Sequence, residues 1–232
     1  MQTGRSVKTE MKRNRDRYLC MALFFAALLL LAAAEPLNGL SALEERIASH
    51  IGFEKDILML VKGEARGPVH RLSGYDEDGY QIMANGLTVS VPRGRSEQVL
   101  WALRDKLKPR KYMAFIIEIN DTLKIDKIGV IKGTDPYDIL QIMHTNGDDD
   151  DVSHEEIIEK LKGWGKRCPF EIIGAENDWV EIEFRVMPRD LKVFAEEIYD
   201  FSPDTVDEEG AGSLSALIKE INTTKRLMLL WN

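Results

Sequence analysis

The densest grouping of chemistry-bearing side chains runs through His144, Asn146, Asp148, Asp149, Asp150, Asp151, His154 and Glu155. Carboxylates and imidazoles in so short a span can hold a divalent cation, and His144, Asp148, Asp150 and His154 are the candidate metal ligands. A calcium loop, however, alternates its ligands and places a glycine at its turn, which four adjacent aspartates do not reproduce. The zinc motif with two histidines on one helical face is absent as well. A solvated acidic loop explains the same residues, because negative charge there favours the N-terminal end of the helix that follows.

Glu181 and Glu183 alternate with Val180, Ile182 and Phe184, so both fall on one face of a strand, and Glu171 on the preceding strand can join them. Paired carboxylates perform acid–base hydrolysis when their surroundings separate their pKa values. Ordinary amphipathic alternation produces the same pattern, and nothing marks a cleft around them. Cys168 with His154 suggests a thiol–imidazole pair, but no third group to orient it is evident. His50 and His70 stand isolated. No phosphate-cradling glycine loop, dinucleotide fingerprint or serine elbow occurs. No catalytic residue is therefore assigned and no cofactor is expected. Trp164, Trp179, Tyr199 and Trp231 concentrate aromatic area in the same half, and such residues anchor interfaces when they are not core. Trp179, Glu181 and Glu183 are the candidate interface residues, Trp179 first because its strand neighbours face outward.

These residues need elements to position them. Ser41 with Glu44 opens a short helix through about His50. Ile57 to Val61 reads as a buried strand. Gly63 to Gly79, with four glycines and a proline, reads mainly as loop. Asn85-Gly86 suggests a type I′ turn joining two alternating segments between Tyr80 and Val91. A helix follows over Ser96–Leu107, then strands at Tyr112–Ile119 and Ile125–Ile131. Asp135-Pro136 opens a helix ending near Thr145-Asn146-Gly147. Ser153 and Glu156 cap the next helix, which carries Ile157, Ile158, Leu161 and Trp164. Strands at Phe170–Ile173 and Trp179–Phe184, a helix from Pro188, a short helix over Ser213–Ile221 and a last strand at Leu227–Trp231 complete the chain. The fold expected is α+β, with a mixed, largely antiparallel sheet, helices packed on one face, and two related β-β-α halves as one way to build it. The expected division is a helical linker over 35–55, an N-terminal α+β half over 56–147 and a C-terminal α+β half over 148–232.

Tyr18 to Ala34 are seventeen uncharged, mostly apolar residues behind Lys8, Lys12, Arg13, Arg15 and Arg17. Ala32-Ala33-Ala34 suits a signal peptidase, so residues 1–34 read as a signal peptide and the product as periplasmic or secreted. The alternative is an uncleaved membrane anchor over residues 18–34, with its basic end in the cytoplasm. Cleavage removes six basic and two acidic residues from totals of 31 and 39, leaving 25 and 37, a formal charge of −12. Such a surface repels nucleic acid and favours a cationic partner. Only Cys168 remains beyond residue 34, so that part of the chain forms no internal disulfide.

Several segments of the second half occur in an order that carries a resemblance. They are Thr145-Asn146-Gly147, Cys168-Pro-Phe-Glu-Ile-Ile-Gly-Ala175, Asp178-Trp-Val-Glu-Ile-Glu-Phe184 and Phe194-Ala-Glu-Glu-Ile-Tyr-Asp-Phe201, followed by Ser202-Pro203-Asp204, Gly212-Ser213 and Trp231. Over about residues 125–232 the chain resembles the bacterial family called domain of unknown function 4253. The family usually has Cys-Pro-Asp where Ser202-Pro203-Asp204 stands, Gln-Gly where Glu208-Glu209 stands, and an acidic residue in place of Asn232. A redox or nucleophilic role for that cysteine could not operate here. The resemblance implies an α+β domain and brings no activity or catalytic residue with it.

Two functional expectations follow. The first is a non-enzymatic, exported, acidic protein-binding module, an interaction domain or one that neutralises a toxin as immunity proteins do. The second is a metal-dependent hydrolase using the His144–Glu155 region.

Overall fold

The computed structural model describes residues 39–147, 152–207 and 210–231. Residues 42–232 form one compact unit. Its elements are α1 (Ala42–Ile51), α2 (Lys55–Ala65), β1 (Val69–Tyr75), β2 (Gln81–Pro92), α3 (Arg93–Leu107), β3 (Tyr112–Asn120), β4 (Ile125–Lys132), α4 (Asp138–Met143), α5 (His154–Arg167), β5 (Phe170–Ala175), β6 (Trp179–Phe184), α6 (Leu191–Tyr199), α7 (Leu214–Thr224) and β7 (Arg226–Leu230). One seven-stranded sheet has the order β1-β2-β4-β3-β5-β6-β7. Every neighbouring pair is antiparallel except β3 and β5, which run parallel and meet at Ile116 and Gly174. The expected N-terminal and C-terminal halves thus share a single sheet.

Helices cover both faces of this sheet, whereas one face was expected. Cross-strand rows Leu87–Val130–Ala114 and Val89–Ile128–Ile116 lie on one face. Ile57, Leu58 and Val61 of α2 and Leu100, Leu103 and Leu107 of α3 are buried and pack on these strands. Leu72, Phe115, Ile131, Ile172, Val180, Ile182 and Leu229 join a separate cluster with residues of α4, α5, α6 and α7. α2 and α3 keep to one face and α4 to α7 to the opposite one, so α4 of the first half packs with the helices of the second. β3 is the reason: Ala114 and Phe115 are both fully buried, so this central strand needs cover above and below.

The two halves also differ in connectivity. After β2 the chain crosses through α3 to β3, parallel to β2 with β4 between them. After β6 it passes through α6 and α7 to β7, antiparallel and directly beside β6. The resemblance between the halves is one of local grammar, a hairpin followed by a helix.

Three local expectations change. Ile57 to Val61 lies inside helix α2, where Ile57, Leu58, Val61, Lys62 and Ala65 share the buried side. A short apolar run suits a buried helix as well as a strand, and only the positions beyond it reveal the period. The Gly63–Gly79 stretch contains strand β1, and the hairpin turn lies at Asp76–Gly79, where Asp76 Oδ1 accepts from the Asp78 and Tyr80 amides. Gly79 takes a left-handed φ of 77° there. Asn85-Gly86 is not a turn but continues β2 through an irregularity opposite Leu72. A Cβ on Gly86 would stand 2.6 Å from Leu72 Cδ2 and 2.9 Å from the Val130 carbonyl, so the glycine serves close packing. Arg71 steadies the bulge by donating to the carbonyls of Ala84 and Met83 at 2.9 Å each.

The residues expected as a linker include α1, which docks. Glu44 is buried; its carboxylate accepts from the Val69 amide at 3.0 Å and from Lys62 Nζ at 2.8 Å, tying α1 to β1 and α2. The Ser153–Glu156 capping box of α5 forms as expected. Among the described residues no helix is long and apolar enough to cross a membrane. Residues 18–34, read as signal or anchor, lie outside the described residues.

Candidate functional site

β6 alternates as its sequence requires. Val180, Ile182 and Phe184 enter the core, while Trp179, Glu181 and Glu183 share the opposite face. Across the ladder Glu183 faces Glu171 on β5 and Arg226 on β7, Glu181 faces Met228, and Trp179 faces Leu230. Trp179 lies against β5 where Gly174 leaves room; a Cβ there would come within 2.8 Å of its ring.

Like charges on paired strands demand cations between them. Arg226 supplies one, with Nε 3.1 Å from Glu183 and Nη2 2.5 Å from Glu97 of α3. Arg185 contacts Glu171 at 2.8 Å and Glu183 at 3.9 Å. Arg104 of α3 reaches Glu171 at 2.8 Å and donates to the carbonyls of Ala114 and Ile172, bridging β3 and β5. Trp101 flanks this row, its ring 5.3 Å from the Arg104 guanidinium and 6.0 Å from that of Arg185. The result is a neutralised ladder, Glu97–Arg226–Glu183–Arg185–Glu171–Arg104.

Glu181 stands outside it. This half-buried carboxylate makes no hydrogen bond or ion pair among the described residues. Burial raises its pKa, Arg226 opposes the rise, and Glu183, Glu97 and Glu220 add to it. Glu181 is therefore the one carboxylate on this face of β6 without a cation of its own. The sequence placed Trp179, Glu181 and Glu183 on one face, but Arg104, Arg226 and Trp101 come from distant segments and left no local signal.

The second candidate region is only partly brought together. His144 and His154 stack, ring centroids 4.7 Å apart and planes 16° from parallel. In-plane lone pairs on nearly parallel rings do not converge on one ion. His154 is buried and its Nδ1 lies 2.9 Å from the Thr145 carbonyl, which can only accept, so Nδ1 carries the proton. Its Nε2 meets no partner among the described residues. His144 sits at the end of α4 with a left-handed φ of 45°. Asp148 and Asp150 lie outside the described residues. Gly147 and Val152 pair through two backbone hydrogen bonds, with Gly147 against the Trp231 ring.

Cys168 and His154 do not meet. They sit at opposite ends of the fourteen-residue α5, about 20 Å apart by helical rise. The Cys168 thiol is buried, donates to the Trp164 carbonyl, and has its pKa pushed up by burial. Ser202, where the resembling family has cysteine, is fully buried. Its Oγ lies 2.6 Å from Thr205 Oγ1 and donates to the Leu230 carbonyl, tying a turn to the edge of β7.

Residues 127–232 match the family model described as Domain of unknown function (DUF4253). No curated protein and no solved structure matches the chain.

Proposed function

We propose that the protein is a non-enzymatic binding module that acts after export, docking a cationic segment of a protein partner on the β6 face at Trp179 and Glu181. The observation that carries this reading is Glu181, a half-buried carboxylate without a cation beside a ladder of paired charges. Leaving such a group partly desolvated costs stability, and a partner's lysine or arginine would remove that cost on binding. Trp179, half-buried beside Glu181, offers aromatic area of the kind that anchors such contacts. Export is supported by the basic stretch and apolar run at residues 8–34.

Titration of the exported form with an arginine-rich decapeptide in a calorimeter tests the docking. Glu181→Gln should weaken binding roughly tenfold, whereas Glu159→Gln on the exposed side of α5 should not. Equal weakening by both would show diffuse charge attraction and overturn the assignment. Mass spectrometry of the product tests export: a mature start at Glu35 supports it, and an intact Met1 on a cytosolic product sinks it.

The metal-dependent hydrolase is the second reading, favoured by the buried Nε2 of His154, which has no partner among the described residues. The nearly parallel rings of His144 and His154 rank it lower. Elemental analysis decides it: one zinc or calcium per chain would reverse the ranking.

A further inference from the structure

The chain carries a formal charge of −8, yet cations gather at the C-terminal end of α5. Lys162 and Lys166 of α5 and Arg189 of the loop before α6 are exposed, and none forms an ion pair among the described residues. Basic side chains at a helix C-terminus offset its dipole. That accounts for Lys166 but not for Arg189, which lies beyond the helix.

The surface is hollowed on both sides of Lys166, which borders each depression. One, of about 330 Å³, lies between the half-buried rings of Tyr137 and Phe170. The Lys162 ammonium stands 5.0 Å from the centre of the Tyr137 ring. Gly165 leaves this hollow open. A Cβ there would meet the Tyr137 hydroxyl at 3.6 Å and the Phe170 ring at 3.7 Å, ordinary contact distances. Packing therefore does not demand glycine at this helical position, where alanine is the better helix former. The second hollow, of about 460 Å³, is lined by the buried Phe194 and the exposed Val193, with Arg189 beside them. Its carboxylates are engaged: Glu197 with Arg167 and the Trp164 indole, Asp190 with the Lys192 and Val193 amides.

We propose that this basic collar docks an extended acidic segment of a partner protein, its carboxylates on Lys162, Lys166 and Arg189 and an apolar side chain in each hollow. Unpaired cations set the charge of the partner, and the rings of Tyr137 and Phe170 supply area for an anchor. A uniform polyanion such as nucleic acid is disfavoured, because the net negative charge of the chain opposes it. α5 and α6 pack on the opposite face of the sheet from Glu181, so the collar stands independently of the β6 site.

Fluorescence anisotropy on the purified protein tests it, with labelled dodecapeptides of glutamate interrupted by two leucines at varied spacing. An all-glutamate dodecapeptide and a single-stranded oligothymidine serve as controls. At least one leucine-bearing peptide should bind saturably and more tightly than either control. Lys166→Glu should weaken that binding roughly tenfold, whereas the same reversal at the exposed Lys108 should not. Gly165→Leu should fill the first hollow and weaken only the leucine-bearing peptide. Val193→Glu, at an exposed position, gives the same reading for the second hollow even where Gly165→Leu fails to fold. The proposal is overturned if no leucine-bearing peptide binds, or if either control binds as tightly. It is equally overturned if Lys108→Glu matches Lys166→Glu, or if Val193→Glu leaves the affinity unchanged.

Discussion

The two faces of the sheet are packed by different means. Under α4 to α7 an aromatic chain runs through the core: Phe170, Phe184, Phe194, Trp164, Phe201 and Trp231 contact one another in sequence, edge to face, with centroids 4.9–6.3 Å apart. Under α1 to α3 the core is aliphatic, with the Phe53–Tyr112 contact at its margin and the Lys62–Glu44 pair buried among the helices. An aromatic chain gains its stability from a few large, mutually dependent contacts. An aliphatic core spreads the same role over many small ones, and here a single charge pair fixes how the helices register.

The largest break should come from Trp164→Ala. The side chain is almost fully buried, touches two rings and donates to Glu197. Urea denaturation should show a loss of about 4–5 kcal/mol, near the top of the range for such truncations. Lys62→Met is the corresponding break on the other face. It removes the ammonium beside a carboxylate whose side chain is 3 % exposed, and should cost about 3 kcal/mol. The double variant sharpens the comparison. If the sheet insulates the two cores, the losses should add to within about 0.5 kcal/mol; a larger discrepancy would mean that the faces communicate through β3.

The smallest effect concerns the exterior. Burial raises the pKa of Glu181 above the ordinary value of 4.5, so its neutral form is favoured in the fold. That contribution is present below the unfolded value and is lost as pH rises through the raised folded value. Glu181→Gln should therefore raise Tm at pH 7, and the gain should vanish when both proteins are compared well below pH 4.5. A gain that persists in acid would assign the effect to packing instead of charge.

Most elements of the second half were legible because their signals are local: the capping box at Ser153, the stripe of Ile157, Leu161 and Trp164, and the alternation at Trp179–Phe184. The first half misled where a local signal had two physical uses. Asn85-Gly86 looks like a turn, but Gly86 is needed to let Leu72 and the Val130 carbonyl approach β2. Ile57 to Val61 looks like a strand until Ala65 shows the helical period. At the candidate site, the shared face of Trp179, Glu181 and Glu183 could be read from alternation. That Glu183 is neutralised and Glu181 is not could not be read, because it depends on Arg226, more than forty positions away. Opposite-face packing of the two helix groups was hidden for the same reason: periodicity tells which side of a helix is buried, never which side of a sheet receives it.

The junction between β3 and β5 has a mechanical consequence. These strands meet at Ile116 and Gly174, each next to an irregularity, and Arg104 reaches across to carbonyls on both sides. This seam has the shortest ladder in the sheet, and the Arg104 guanidinium reinforces it. Pulled from its ends or warmed toward partial opening, the molecule should tear there first, with amides bordering the seam exchanging with deuterium before those inside either hairpin.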